Sequence, residues 1–241
     1  MNARRELRRA TRIAGFGALT AAMLGAFLAH DRLSAGRDRP GIQEPWVKAW
    51  AGALLRIFGI RVLASSGELP RDRGHLVVAN HRSTADIPIL LRAFGGHMVS
   101  RADLASWPLL GSAGRAVGTV FVDRSDAVSG AGAVRVIRTL LEKCRTVVVF
   151  PEGTTFPDDE VRPFHTGAFV AALHSGADIV PVGLAYASGS GAAFVDESFS
   201  THLARVAAAA PSRVAMCAGE PIAVGEKVRA AQLRDRAHGE V

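Results

Sequence analysis

The sequence predicts an α/β fold: a mostly parallel central sheet flanked by helices, preceded by an N-terminal membrane-associated helical pair. Three observations carry this expectation. From about Arg61 onward, short β-branched or apolar runs alternate with helical stretches. Polar residues suited to chemistry follow several of those runs directly, where open α/β sheets gather their ligands. The first sixty residues hold two apolar stretches separated by a Pro/Gly/Arg-rich segment.

Taken in order, Arg4, Arg5, Arg8, Arg9 and Arg12 stand against the single Glu6 and precede the uncharged run Ile13 to Ala29. As a helix that run reaches roughly 25 Å, short of the ~30 Å hydrocarbon core of a bilayer. A secretory signal peptide is disfavoured because His30-Asp31-Arg32 follows directly, with no small-x-small cleavage site. Ser34 to Pro45 reads as a linker. Trp46 to Ile60 places Trp46, Trp50, Leu54, Ile57 and Phe58 at helical spacing, with Lys48 and Arg56 making it too charged to span. It is expected to lie in the membrane interface, so residues 1–60 form the membrane-associated part and 61–241 the compact domain.

Within that domain the expected strands are His75 to Ala79, His97 to Ser100, Thr119 to Val122, Thr146 to Phe150, Ile179 to Tyr186 and Arg213 to Ala218. Expected helices are Ile87 to Phe94, Leu104 to Ala116, Ala127 to Lys143, Gly167 to Ser175, the Ala-rich run Ala204 to Ala210, and a polar one after Gly225.

With 241 residues, 49% of them hydrophobic, the chain buries one sizeable core and is not disordered. Cys144 and Cys217 make neither a disulfide framework nor a metal-ligand pattern, and no metal site is expected. The net charge of +7 is almost all arginine, since Lys48, Lys143 and Lys227 are the only lysines. This suits an anionic partner without choosing one. Nucleic acid is excluded because the arginines are scattered and Tyr186 is the only tyrosine. A serine hydrolase is excluded because no Gly-x-Ser-x-Gly elbow occurs.

Asn80-His81-Arg82-Ser83-Thr84-Ala85-Asp86 leaves a strand and opens a helix. Five positions along one continuous helix would separate His81 from Asp86, so they meet only if His81 sits in the turn and Asp86 in the first helical turn. The carboxylate then fixes one imidazole nitrogen and leaves the other free as a base, a dyad for activating a hydroxyl. Alone, Ser83-x-x-Asp86 is equally a capping box. Asp123-Arg124 and Pro151-Glu152-Gly153-Thr154-Thr155 end two further strands. Arg124 suits a phosphate and Gly153 a close backbone approach, although a surface ion pair and an ordinary turn satisfy the same residues.

Together these segments resemble the glycerolipid acyltransferase family that includes the 1-acyl-sn-glycerol-3-phosphate acyltransferases. The matching blocks are Asn80-His81-x4-Asp86, Gly118-x-x-Phe121-x-x-Arg124, Phe150-Pro151-Glu152-Gly153-Thr154 and Val180-Pro181-Val182. The likeness runs from about Gly59 to Ile222. It implies the glycerol-3-phosphate acyltransferase-like fold and direct acyl transfer: His81, aligned by Asp86, deprotonates an acceptor hydroxyl, which attacks the thioester of acyl-CoA or acyl carrier protein. No covalent acyl-enzyme and no cofactor beyond that thioester co-substrate are implied. By the same resemblance Arg101, Arg124, Glu152, Gly153 and Thr154 hold the polar head of a lysolipid, and backbone amides near the dyad stabilise the oxyanion.

One departure bears on the acceptor. Many lysophosphatidate acyltransferases read Glu-Gly-Thr-Arg, but Thr155 stands where that arginine would be. Either Arg162 substitutes, or the acceptor is another lysolipid such as lyso-ornithine lipid. A non-catalytic lipid-binding membrane protein is the remaining alternative, and the intact His81, Asp86 and Glu152 argue against it. The arginines preceding Ile13 hold the N-terminus in the cytoplasm. The expected location is therefore the cell inner membrane, with the catalytic domain on the cytoplasmic face and both helices in that leaflet.

Overall fold

The computed structural model describes residues 3–34, 39–65, 69–123, 125–156, 160–187, 190–195, 197–225 and 227–241. Its centre is a seven-stranded sheet built from β1 (Ile60–Ser65), β2 (His75–Ala79), β3 (His97–Arg101), β4 (Val120–Val122), β5 (Thr146–Val149), β6 (Asp178–Tyr186) and β7 (Ser212–Ala218). The spatial order is β1-β7-β6-β2-β5-β3-β4. Pairing is parallel from β6 through β2, β5 and β3 to β4, while β7 is antiparallel to β6 and carries β1 parallel to itself. The carboxyl ends of five strands therefore share one edge, and the acid, hydroxyl and histidine segments leave from that edge.

In the middle of the sheet Val77 of β2 lies between Val148 of β5 and Val180 of β6. All three are enclosed, which explains why these strands read as unbroken apolar runs and not as alternating ones. The helices are α1 (Ala3–Leu33), α2 (Arg39–Phe58), α3 (Asp86–Phe94), α4 (Pro108–Ala116), α5 (Ala127–Glu142), α6 (Gly167–Ser175), α7 (Phe199–Ala208) and α8 (Ala230–Glu240). One face of the sheet buries α5, α6 and α8 through Ile137, Leu141, Phe169 and Leu233. The other buries α3 and α2 through Ile89, Leu90, Phe94, Val47, Ala51 and Leu55. Full burial of a single leucine contributes about 2 kcal/mol, so α2 is held by the core along one side.

Besides α7, which runs from Phe199 to Ala208 where Ala204 to Ala210 was expected, three elements differ from expectation. The linker assigned to Ser34 to Pro45 is shorter. Residues 35–38 lie outside those described, and α2 starts at Arg39, with Pro40 in the first turn where a missing N–H costs nothing and Pro45 inside the helix. The single helix expected from Leu104 to Ala116 is a 3₁₀ turn, Ala102–Ser106, followed by α4. Pro108 is the reason: it pushes Trp107 to φ −70° and ψ 129°, out of the helical region. Strand β1 was not expected. As an edge strand with Leu63 exposed, it lacks the two-sided burial that marks its neighbours.

Helix α1 runs antiparallel to α2, with Trp50 Nε1 donating to Thr20 Oγ1 at 3.1 Å and Phe27 edge-on to Trp46. It is long and apolar enough to cross a membrane, and little of its apolar stretch is buried. Near its start, Arg12 donates to the carbonyls of Ala207 (3.3 Å) and Ala209 (2.7 Å), and Arg8 to Ala209 (2.9 Å). Two guanidiniums thus cap the carbonyl end of α7.

Candidate active site

The turn between β2 and α3 is fastened at nearly every backbone atom. Asn80 begins it by bracketing Leu184 of β6: its Nδ2 donates to the Leu184 carbonyl at 2.9 Å and its Oδ1 accepts the Leu184 N–H at 2.8 Å. His81 follows in the loop, and Asp86 is the first residue of α3. His81 Nδ1 donates to Asp86 Oδ2 at 2.9 Å, and the same oxygen accepts the N–H groups of Arg82 (2.7 Å) and Ser83 (2.8 Å). With Nδ1 so engaged, Nε2 is the nitrogen left to act on a substrate, and the side chain of His81 keeps 18% of its surface accessible while that of Asp86 keeps none. The Ser83 hydroxyl does not complete a capping box. It accepts the N–H of Ala85 at 3.2 Å.

Glu152 and Gly153 arrive from the end of β5. Phe150 stacks flat on the His81 ring, with centroids 3.8 Å apart and planes 8° from parallel. Such a platform restricts rotation of the imidazole and desolvates one of its faces. Glu152 is buried, and its two oxygens accept the N–H of His81 (2.6 Å) and of Arg162 (3.0 Å). It therefore fixes the start of the His81–Asp86 turn directly. Gly153 has φ +84°, a backbone conformation that calls for glycine. Thr154 is exposed beside it. Gly118 is needed for backbone and for space, since its φ is +67° and a Cβ there would stand 2.9 Å from Nδ1 of buried His97.

Of the cationic residues assigned to the acceptor, Arg101 ends β3 on the shared edge, exposed, and forms a two-pronged ion pair with Asp103 at 3.0 and 3.1 Å. Arg124 lies outside the described residues. Arg162 pairs with Glu160 and sits over the Phe156 ring. The amides expected to form an oxyanion hole are not offered by the turn itself. Every N–H from His81 to Asp86 is committed within the protein, to Glu152, Asp86, Asp86, His202, Ser83 Oγ and the Ser83 carbonyl in turn.

Two further side chains join the turn that sequence reasoning did not assign to it. Tyr186, at the end of β6, donates its phenolic O–H to Asp86 Oδ1. It shares a sheet face with Val182 and Leu184 by strand alternation, the one local sign of where it points. His202 of α7 is fully buried, and its Nε2 accepts the Thr84 N–H at 3.2 Å. Its Nδ1 donates to Glu197 Oε1 at 3.0 Å, and Arg205 clasps Glu197 in turn. Burial pushes the His202 pKa down, and the hydrogen bond from Arg205 leads in holding Glu197 at about 2. No local pattern marks this cluster in the sequence.

Against the middle of the same turn lies an apolar cavity of about 200 Å³. Thr84 and Ala85 of that turn form part of its wall, together with Trp50 and Leu54 of α2, Phe121 and Leu203. The space suits an acyl chain far better than a polar ligand. Among the described residues no three His, Cys, Asp or Glu side chains are grouped to hold a metal ion.

Residues 63–185 match the acyltransferase family model. The chain is 32% identical over 213 residues to the lyso-ornithine lipid O-acyltransferase of Pseudomonas aeruginosa, covering 84% of this chain and 79% of that protein. It is 32% identical over 136 residues to the 1-acyl-sn-glycerol-3-phosphate acyltransferase of Neisseria gonorrhoeae, covering 56% of this chain and 52% of that one. The fold is shared with the 1-acyl-sn-glycerophosphate acyltransferase PlsC of Thermotoga maritima, at a TM-score of 0.74 and 22% identity over 98% of this chain and 94% of that one. A histidine–aspartate turn at the carboxyl edge of a parallel sheet and the match across 63–185 lead to one conclusion: the chain belongs to the acyltransferase family.

Proposed function

We propose that the protein transfers a fatty acyl group from acyl-CoA or acyl carrier protein to the free hydroxyl of a lysolipid, forming phosphatidic acid when the acceptor is 1-acylglycerol-3-phosphate. The observation that carries this reading is the 2.9 Å contact between His81 Nδ1 and Asp86 Oδ2, which leaves Nε2 as the base in a turn whose Thr84 and Ala85 wall an apolar cavity. His81 Nε2 takes the acceptor's hydroxyl proton as the oxygen bonds to the thioester carbonyl carbon. The tetrahedral intermediate collapses by breaking the C–S bond, and the proton passes from His81 to the departing thiolate. Asp86 holds the ring in the useful tautomer throughout. Arg101, Arg124 and Thr154 are the groups proposed to meet the acceptor's head, whereas Glu152 and Gly153 serve it by shaping the turn.

A second acceptor, lyso-ornithine lipid, is favoured by one specific observation: Thr155 replaces the arginine that would add a cation for a phosphate monoester. A zwitterionic amino-acid head group needs fewer cations. The test is thioester consumption by membranes supplied with lysophosphatidate or lyso-ornithine lipid, comparing native protein with His81→Ala. We expect a loss of about 10²-fold or more on removing a general base. If neither lipid is acylated, or the variant keeps full rate, the reading fails.

We place the protein at the cytoplasmic face of the inner membrane, with the outer side of the α1–α2 hairpin in the lipid. The contacts that tie α1 to α2 and α7 support an embedded hairpin over a lone span. A cysteine at Leu33, the exposed last residue of α1, should be labelled from the cytoplasmic side of membrane vesicles. Labelling only from the outside of intact cells would overturn this placement.

A further inference from the structure

We propose that Tyr186 is a positioning residue for acyl transfer, its phenolic O–H fixing the rotation of the Asp86 carboxylate so that Oδ2 faces His81. The inference rests on the function proposed above and adds a residue that lies outside the four matching sequence blocks. Asp86 is wholly enclosed, and its two oxygens are used unequally. Oδ2 accepts three donors, from His81 Nδ1, Arg82 N and Ser83 N, while the hydrogen bond at Oδ1 comes from Tyr186.

A carboxylate is symmetric about its Cβ–Cγ bond, so nothing in the group itself keeps one oxygen toward the imidazole. Three donors on one oxygen also crowd its lone pairs, and a small rotation would relieve them by drawing Oδ2 off His81 Nδ1. A donor on the opposite oxygen opposes that rotation. Tyr186 is suited to this because it is anchored in β6, where it pairs in register with Val214 of β7, and so connects the dyad to the sheet independently of the turn. An O–H donating to a carboxylate is among the stronger hydrogen bonds in proteins. Desolvation first, and then the charge of Asp86, raise the phenol's pKa well above its ordinary value. The group therefore remains a donor throughout the working range.

Tyr186→Phe keeps the ring and removes the donor. In an assay where the native protein acylates a lysolipid, the variant should lose about tenfold in kcat, the scale of one charge-assisted hydrogen bond, with KM for both substrates unchanged. Unchanged kcat would overturn the proposal. An inactive native protein would instead sink the functional reading, so the two failures are distinct. If the variant does not fold, the native protein supplies the answer, because Tyr186 is its only tyrosine and tyrosinate absorbance reports it alone. The phenol should resist ionisation in the folded protein and ionise at lower pH in Asp86→Asn. Identical titration in both proteins would mean that the contact does not exist, and the proposal would fall.

Discussion

Two histidine–carboxylate pairs meet at the same turn, and they are chemically alike. His81 and Asp86 are five residues apart with Nδ1 2.9 Å from the acid; His202 and Glu197 are five apart with Nδ1 3.0 Å from the acid. They differ in what the second nitrogen meets. Nε2 of His202 is filled by the Thr84 N–H in a fully buried site, while the His81 ring retains access to solvent. A carboxylate at Nδ1 makes an imidazole orientable; a vacant Nε2 makes it useful to a substrate. The closed pair holds still the turn on which the open pair is built.

The sharpest way to break this comparison is to place the same substitution in both pairs. His81→Gln should lower kcat by about 10²-fold or more, because an amide cannot take up a proton. His202→Gln should keep most activity, since an amide oxygen still accepts the Thr84 N–H while the amide nitrogen donates to Glu197. A smaller but measurable effect is expected from His202→Leu, which leaves that N–H without its acceptor and lowers stability by about 1–3 kcal/mol in denaturant unfolding. Equal kinetic losses from the two glutamine variants would erase the distinction.

The smallest effect is on the pH dependence of stability. The His202 pKa is lowered in the folded state, so as pH falls through its ordinary value of 6.5 the unfolded chain takes a proton that the folded one refuses. Stability contributed there is complete above that pH and declines below it. Glu197, held at about 2 from 4.5, adds stability that is complete above 4.5 and is lost as pH falls toward 2. The melting temperature of the native protein should therefore drop below pH 6.5 more steeply than that of His202→Gln. Parallel curves would show that His202 is not the titrating group.

The open pair was legible in the sequence and the closed one was not, for a physical reason. His81 and Asp86 straddle a strand-to-helix turn, and that context makes a five-residue spacing meaningful. Glu197 and His202 have the same spacing around the start of α7, but their purpose lies at Thr84, 118 residues away. Glu152 teaches the same lesson. Its place after β5 was evident, but the two backbone N–H groups it accepts come from His81 and Arg162, and a string of residues does not show such partners. The central strands were visible because burial on both faces leaves an unbroken apolar run, whereas β1 at the edge, with Arg61 and an exposed Leu63, has no such signature.

The arginine clamp on the end of α7 has a practical corollary for protein engineering. Trimming the first helix to obtain a water-soluble enzyme would also strip the cations from the Ala207 and Ala209 carbonyls and loosen the helix that carries His202. A shortened version would need a replacement cap at that helix end, such as a glycine-based stop, before its activity could be compared fairly with the parent.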